Sequence, residues 1–146
     1  MKVLLASSSS GSRGGGEIYL QYLGRALAER GHEVVLWCSS HPRMDELAEE
    51  FRDVGEVVRA SYRNTYDYRT RLLRPVLSPF LPRKVARHWS DIAPDVVHVN
   101  KQNLEDGLDL IRAANRLRVP SVSTIHITQP ATYLDAHGAV LRDWMS

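Results

Sequence analysis

At 146 residues the chain is long enough for one domain with a real core, and its composition is that of an ordinary soluble globular protein. A formal net charge of +2 carries no general attraction to nucleic acid. No apolar stretch approaches transmembrane length, and Val3 to Ala6 behind Lys2 is too short a run for a signal peptide.

Val3 to Glu17 organises the chain. Val3-Leu4-Leu5-Ala6 reads as a buried first strand, Ser7 to Ser10 and Gly11 to Gly16 as a flexible loop, and Gly15 to Arg30 as helix one. A loop that opens a helix turns free backbone N–H groups and the positive end of the helix dipole toward one point, which suits an anion. Glycine lets the backbone come close to such a ligand. Two familiar anion loops do not fit. A dinucleotide fingerprint started at Gly14 and Gly16 needs its third glycine at Tyr19, and the second strand ends in Trp37-Cys38-Ser39-Ser40 without the acidic ribose partner. Gly11 and Gly16 have P-loop spacing, but Glu17 and Ile18 stand where lysine and a hydroxyl belong. The alternative is a glycine-rich surface connection without a ligand.

Along helix one, Ile18, Tyr22 and Ala26 line one edge and Tyr19, Leu23 and Leu27 the next, so the two rows together predict one wide apolar face. Gly31 caps its C-terminus. Val34 to Trp37 is a second buried strand, and strand–loop–helix–Gly–strand is a βαβ crossover that implies a parallel sheet. Cys38, alone and in an apolar run, cannot form an internal disulfide. It reads as a small core residue, and a reducing, cytoplasmic setting is expected. Met44 to Phe51 is a short helix with Asp45 and Glu46 in its first turn, and Glu56 to Ala60 a weaker strand.

From Arg59 to His88 the composition shifts. Arg59, Arg63, Arg69, Arg71, Arg74, Arg83, Lys84 and Arg87 face one acid, Asp67, with tyrosines interleaved and Pro75, Pro79 and Pro82 breaking the region. It reads as a long loop with one or two short helices. It is either a solvated connection or a patch for an anionic acceptor or an acidic membrane surface. Val85 to Ile92 is a helix. Asp95 to Asn100 is a buried strand in which His98 reads as a core residue. Asn103 is placed to cap the next helix, with Asp106 at the capping-box position and Leu104, Leu108, Ile111, Ala114 and Leu117 on the buried face. Ser121 to His126 is a fifth strand, and His126 falls at its C-terminal end, the edge that carries the ligand crevice of open α/β sheets. The fold expected is α/β: a Rossmann-like, mainly parallel sheet of about five strands with helices on both faces and strand one central.

These pieces in order resemble the N-terminal domain of family-4, GT-B-type retaining glycosyltransferases. The resemblance rests on the Gly-Gly-x-Glu loop, Leu27 to Val34, Pro94-Asp95-Val96-Val97-His98, and Val119-Pro120 to Thr124-Ile125-His126. It implies an enzyme of two Rossmann-like domains. Residues 1–146 would be the acceptor-side domain, and the nucleotide-sugar domain, with a Glu pair seven residues apart, would lie beyond this chain. It also implies that Gly15, Gly16 and Glu17, entered through Gly14, approach the donor phosphates and the acceptor, and that catalytic His126 lies beside the donor sugar. No metal or cofactor is implied, the nucleotide-sugar being substrate. Two departures stand out. Ile127 occupies the place of an acid common in the family. Asn100-Lys101-Gln102-Asn103 replaces the usual aromatic or His, pointing to an acceptor with a polar or anionic group near Asn100 and Lys101. The partners expected are a nucleotide-sugar donor, a sugar or lipid-linked acceptor, and weak contact with an acidic membrane through Arg59–His88 at its inner face, with no nucleic acid. A non-catalytic module that binds an anionic ligand or partner is the alternative.

Overall fold

The computed structural model describes residues 1–10, 14–64, 80–104 and 106–128. Five strands form one parallel sheet: β1 (Lys2–Ser7), β2 (Glu33–Ser39), β3 (Glu56–Ala60), β4 (Val96–Asn103) and β5 (Ser121–Ile127). Their order is β3-β2-β1-β4-β5, with β1 central as expected. The helices are α1 (Gly15–Glu29), α2 (Asp45–Phe51), α3 (Phe80–Ile92) and α4 (Leu108–Leu117), with a 3₁₀ turn at Pro42–Met44 ahead of α2.

Alternation along the central strands builds two cores. Val3 and Leu5 with Val34, Leu36 and Cys38 point to one face, where Leu20 of α1 and Leu47 and Phe51 of α2 cover them. Leu4 and Ala6 with Val35, Trp37, Val97 and Val99 point to the other, beneath Val85 and Trp89 of α3 and Leu110 and Ala113 of α4. Cys38 lies fully in the first core, and burial pushes its thiol up to about 11. Helix α1 lies close over α2: a Cβ on Gly24 would stand 2.6 Å from the Phe51 ring. Gly31, at φ 77°, ends α1 with its N–H on the Ala28 carbonyl and the next N–H, of His32, on that of Leu27.

Four expectations are corrected. The buried row of α1 is Gly16, Glu17, Leu20 and Gly24, and the Ile18–Tyr22 edge turns outward, with Tyr22 71% exposed. The other predicted row, Tyr19, Leu23 and Leu27, is half-buried, with Leu23 and Leu27 packed against the edge of the core. Helix α3 begins five residues before Val85. Pro82 sits in its first turn, where a missing N–H costs nothing. Strand β4 runs on to Asn103 because β5 extends alongside it, pairing Lys101 with Ile125 and Asn103 with Ile127. Helix α4 starts at Leu108, after Gly107 at φ 65°. Asn103 Oδ1 does accept from the Asp106 N–H, but the Asp106 carboxylate turns away to Ser8 and the Gln102 N–H, and Leu104 is exposed. Of the basic stretch, residues 65–79 lie outside the described residues.

Candidate functional site

The order in which strands are added reverses between β1 and β4, β2 and β3 lying on one side of β1 and β4 and β5 on the other, and this is the place where open α/β sheets bind ligands beyond the strands' C-terminal ends. Here α1 begins, β1 runs into Ser8–Ser10, and β4 and β5 end. Period-two alternation puts His98, Asn100 and Gln102 of β4, and Thr124 and His126 of β5, on the α1 side.

Gly14 precedes α1 in extended backbone, and its N–H donates to Glu17 Oε2 at 2.9 Å. The buried Glu17 carboxylate therefore caps its own helix, and its Oε1 accepts from Gln102 Nε2 at 2.8 Å. Gly16 is the tightest point. A Cβ there would lie 2.8 Å from Gln102 Nε2 and 2.9 Å from His126 Cδ2, whereas Gly15 has open space. The Gly16 carbonyl accepts from Asn100 Nδ2 at 3.0 Å, and Asn100 Oδ1 lies 2.7 Å from His126 Nε2. Residues read separately from the sequence, Gly14, Gly16, Glu17, Asn100 and His126, thus form one connected cluster.

Tyr19 closes the cluster's side. Its ring meets His126 edge-on at 5.3 Å and His98 at 5.9 Å. Its hydroxyl lies 3.3 Å from Thr124 Oγ1, which in turn lies 2.9 Å from His98 Nε2. His98 is buried as expected, yet it belongs to the site's second layer. Burial first, then the neighbouring His126, lowers its pKa and favours the neutral ring.

Lys101 does not join the cluster. It points to the other face of β4, is 3% exposed, and gives its ammonium to the Leu104 carbonyl at 2.9 Å; burial lowers its pKa. On that face Asp106 is fully buried beside Ser8 and is pushed up to about 6, chiefly by burial. Among the described residues no group of three potential metal ligands comes together, and no helix is long and apolar enough to cross a membrane.

The described part of the basic stretch lines a separate concavity of about 740 Å³, with Tyr62 and Phe80 beside Arg83, Lys84 and Arg87. Arg59 is engaged at its edge, paired to Asp45 at 2.8 Å.

Sequence reasoning passed over Gln102, Tyr19 and Thr124. Thr124 was detectable by counting two residues back from His126 along β5, whereas Gln102 lies past Asn100, where the expected strand stopped. Tyr19 was hidden because an aromatic in an apolar row reads as core.

Among solved structures, the crystal structure of UDP-GlcNAc 2-epimerase from Neisseria meningitidis bound to UDP-GlcNAc is similar in fold, with a TM-score of 0.58 at 16% identity. The match covers 97% of this chain and 37% of that one, so this chain spans little more than a third of the epimerase's length. No curated protein matches. The family model of Glycosyltransferase Family 4 matches residues 13–146, from the glycine loop onward, and the chain belongs to that family.

Proposed function

We propose that this chain is the acceptor-side domain of an enzyme that moves a sugar from a nucleotide-sugar to an acceptor with retention, and that the cluster around Gly16 and His126 is its share of the active site. One observation carries the proposal: the start of α1 is pressed against His126 so closely that a Cβ at position 16 would stand 2.9 Å from the imidazole. A helix start and a strand-end histidine meet at the sheet's switch point, in a chain of a glycosyltransferase family.

The chemistry assigns roles. Departure of a nucleoside diphosphate leaves an oxocarbenium-like sugar and places negative charge on the leaving oxygens. The N–H groups of Gly15 and Gly16 head α1, where the first turn has no intrahelical acceptor, and can meet that charge. Glu17 fills the Gly14 end of the turn, so the phosphates are directed to the Gly15–Gly16 side. His126 orients the sugar ring through a hydroxyl. The nucleotide base and ribose fall to a second domain, and the acceptor enters over β4 past Asn100. The epimerase of similar fold binds UDP-GlcNAc, which makes UDP-sugars the first donors to assay.

The test is His126→Ala in the two-domain polypeptide. Turnover should fall by about 100-fold or more, the scale of a lost positioning contact, with the fold retained. Turnover near wild type removes His126 from the site.

A further inference from the structure

We propose that Asn100 is a positioning residue that keeps the His126 proton on Nε2, so that His126 presents Nδ1 to the ligand as a hydrogen-bond acceptor. Asn100 is completely buried, and its amide has two neighbours. One is the Gly16 carbonyl at 3.0 Å, which only accepts. The amide NH₂ must face it, since the reverse orientation would set two oxygens against each other. Oδ1 is thereby fixed toward His126 Nε2 at 2.7 Å, and a hydrogen bond of that length needs its proton on Nε2. The carbonyl at the start of α1 thus sets the histidine tautomer through one amide. Among the described residues no hydrogen bond reaches Nδ1.

The ligand's chemistry follows. A neutral imidazole whose free nitrogen carries a lone pair accepts from a hydroxyl and repels a phosphate oxygen, which has only lone pairs to offer. His126 therefore meets a hydroxyl-bearing part of its ligand, and the anionic part belongs to the helix start. The identification of that hydroxyl with a donor sugar rests on the proposed function; the tautomer does not.

Nitrogen-15 NMR of the histidine side chains in this chain tests the proposal. It should be run at about pH 8, above the ordinary imidazole pKa of about 6.5. His126 should show a protonated Nε2 and an unprotonated Nδ1. In Asn100→Ala, Nδ1-protonated ring should appear in a measurable share. If the alanine variant fails to fold, the wild-type spectrum decides alone, because the proposal requires its Nε2 to carry the proton. An Nδ1-protonated His126 in the wild type overturns the proposal, as does an unchanged tautomer in Asn100→Ala. Either result leaves the glycosyltransferase reading standing, whereas absence of sugar transfer by the two-domain polypeptide would overturn that reading and leave the tautomer untouched.

Discussion

Replacing Gly16 with alanine adds one methyl group, and its consequences follow from the geometry. The new carbon would lie 2.9 Å from His126 Cδ2, 3.2 Å from its Nε2 and 2.8 Å from Gln102 Nε2, where ordinary contact begins near 3.4 Å. The imidazole and the Gln102 amide must each withdraw by about half an ångström, on the scale of the clashes that make overpacking costly. His126 withdraws from the helix start with its hydrogen bond to Asn100 strained, and Gln102 loosens from Glu17. Overpacking of this kind costs about 1–3 kcal/mol, offset by up to roughly 1 kcal/mol from alanine's better helix propensity. Net destabilisation is then about 1 kcal/mol, or roughly 3–4 °C in Tm for a chain of this size. The effect on turnover is larger, because a misplacement approaching 1 Å costs on the order of 100-fold; a shift of half that should cost about tenfold. The assay is sugar transfer by the two-domain polypeptide, paired with thermal unfolding. Gly15→Ala is the control for stability: nothing lies within 4 Å of its added carbon, so thermal unfolding should be near wild type. Wild-type turnover in Gly16→Ala, or an equal loss of Tm in Gly15→Ala, would contradict the clash at Gly16.

Two further outcomes are expected. The carboxyl of Asp106 titrates at about 6 in the folded chain, against an ordinary 3.8 when unfolded. Between these values the folded chain holds a proton that the unfolded chain has lost. This group's contribution is therefore complete below about pH 4 and is lost as pH rises through about 6, by an amount on the order of 3 kcal/mol. Denaturant unfolding of wild type and Asp106→Asn across that window should show the difference between them falling with pH, and a constant difference would refute the buried, proton-holding carboxyl. Separately, Arg83, Lys84 and Arg87 stand exposed along α3, and contact with acidic membranes through this helix is expected to be weak, about 1 kcal/mol per basic residue, and salt-sensitive. Co-sedimentation with anionic vesicles should fade as salt rises and vanish on reversing the three charges; equal binding to neutral vesicles would reject it.

The sheet was legible because its signals are local and redundant. Two apolar runs flank one amphipathic helix that ends at Gly31, and a crossover of that kind allows only a parallel pairing. The helix boundaries that failed depend on contacts distant in sequence. Asn103 and Asp106 carry a sound capping pattern, but Asp106 is drawn to Ser8, ninety-eight residues away, and the helix waits until Gly107 has turned the chain. The site was half legible. His126 follows from its strand-end position. That Lys101 turns inward and Asn100 toward His126 follows from strand alternation once β4 is known to continue past Asn100. No local signal announced that continuation, because β5 supplies it from across the sequence.

A transfer assay with a panel of nucleotide-sugars decides whether the cleft needs two domains, comparing this chain alone with the same chain joined to a nucleotide-sugar domain. Positioning of the reactants contributes on the order of 7–11 kcal/mol to such reactions, and one half of a two-domain cleft forfeits most of that. Transfer is expected from the joined polypeptide and none above background from the chain alone. Comparable rates from the two would contradict it, because the site would then be complete within these five strands.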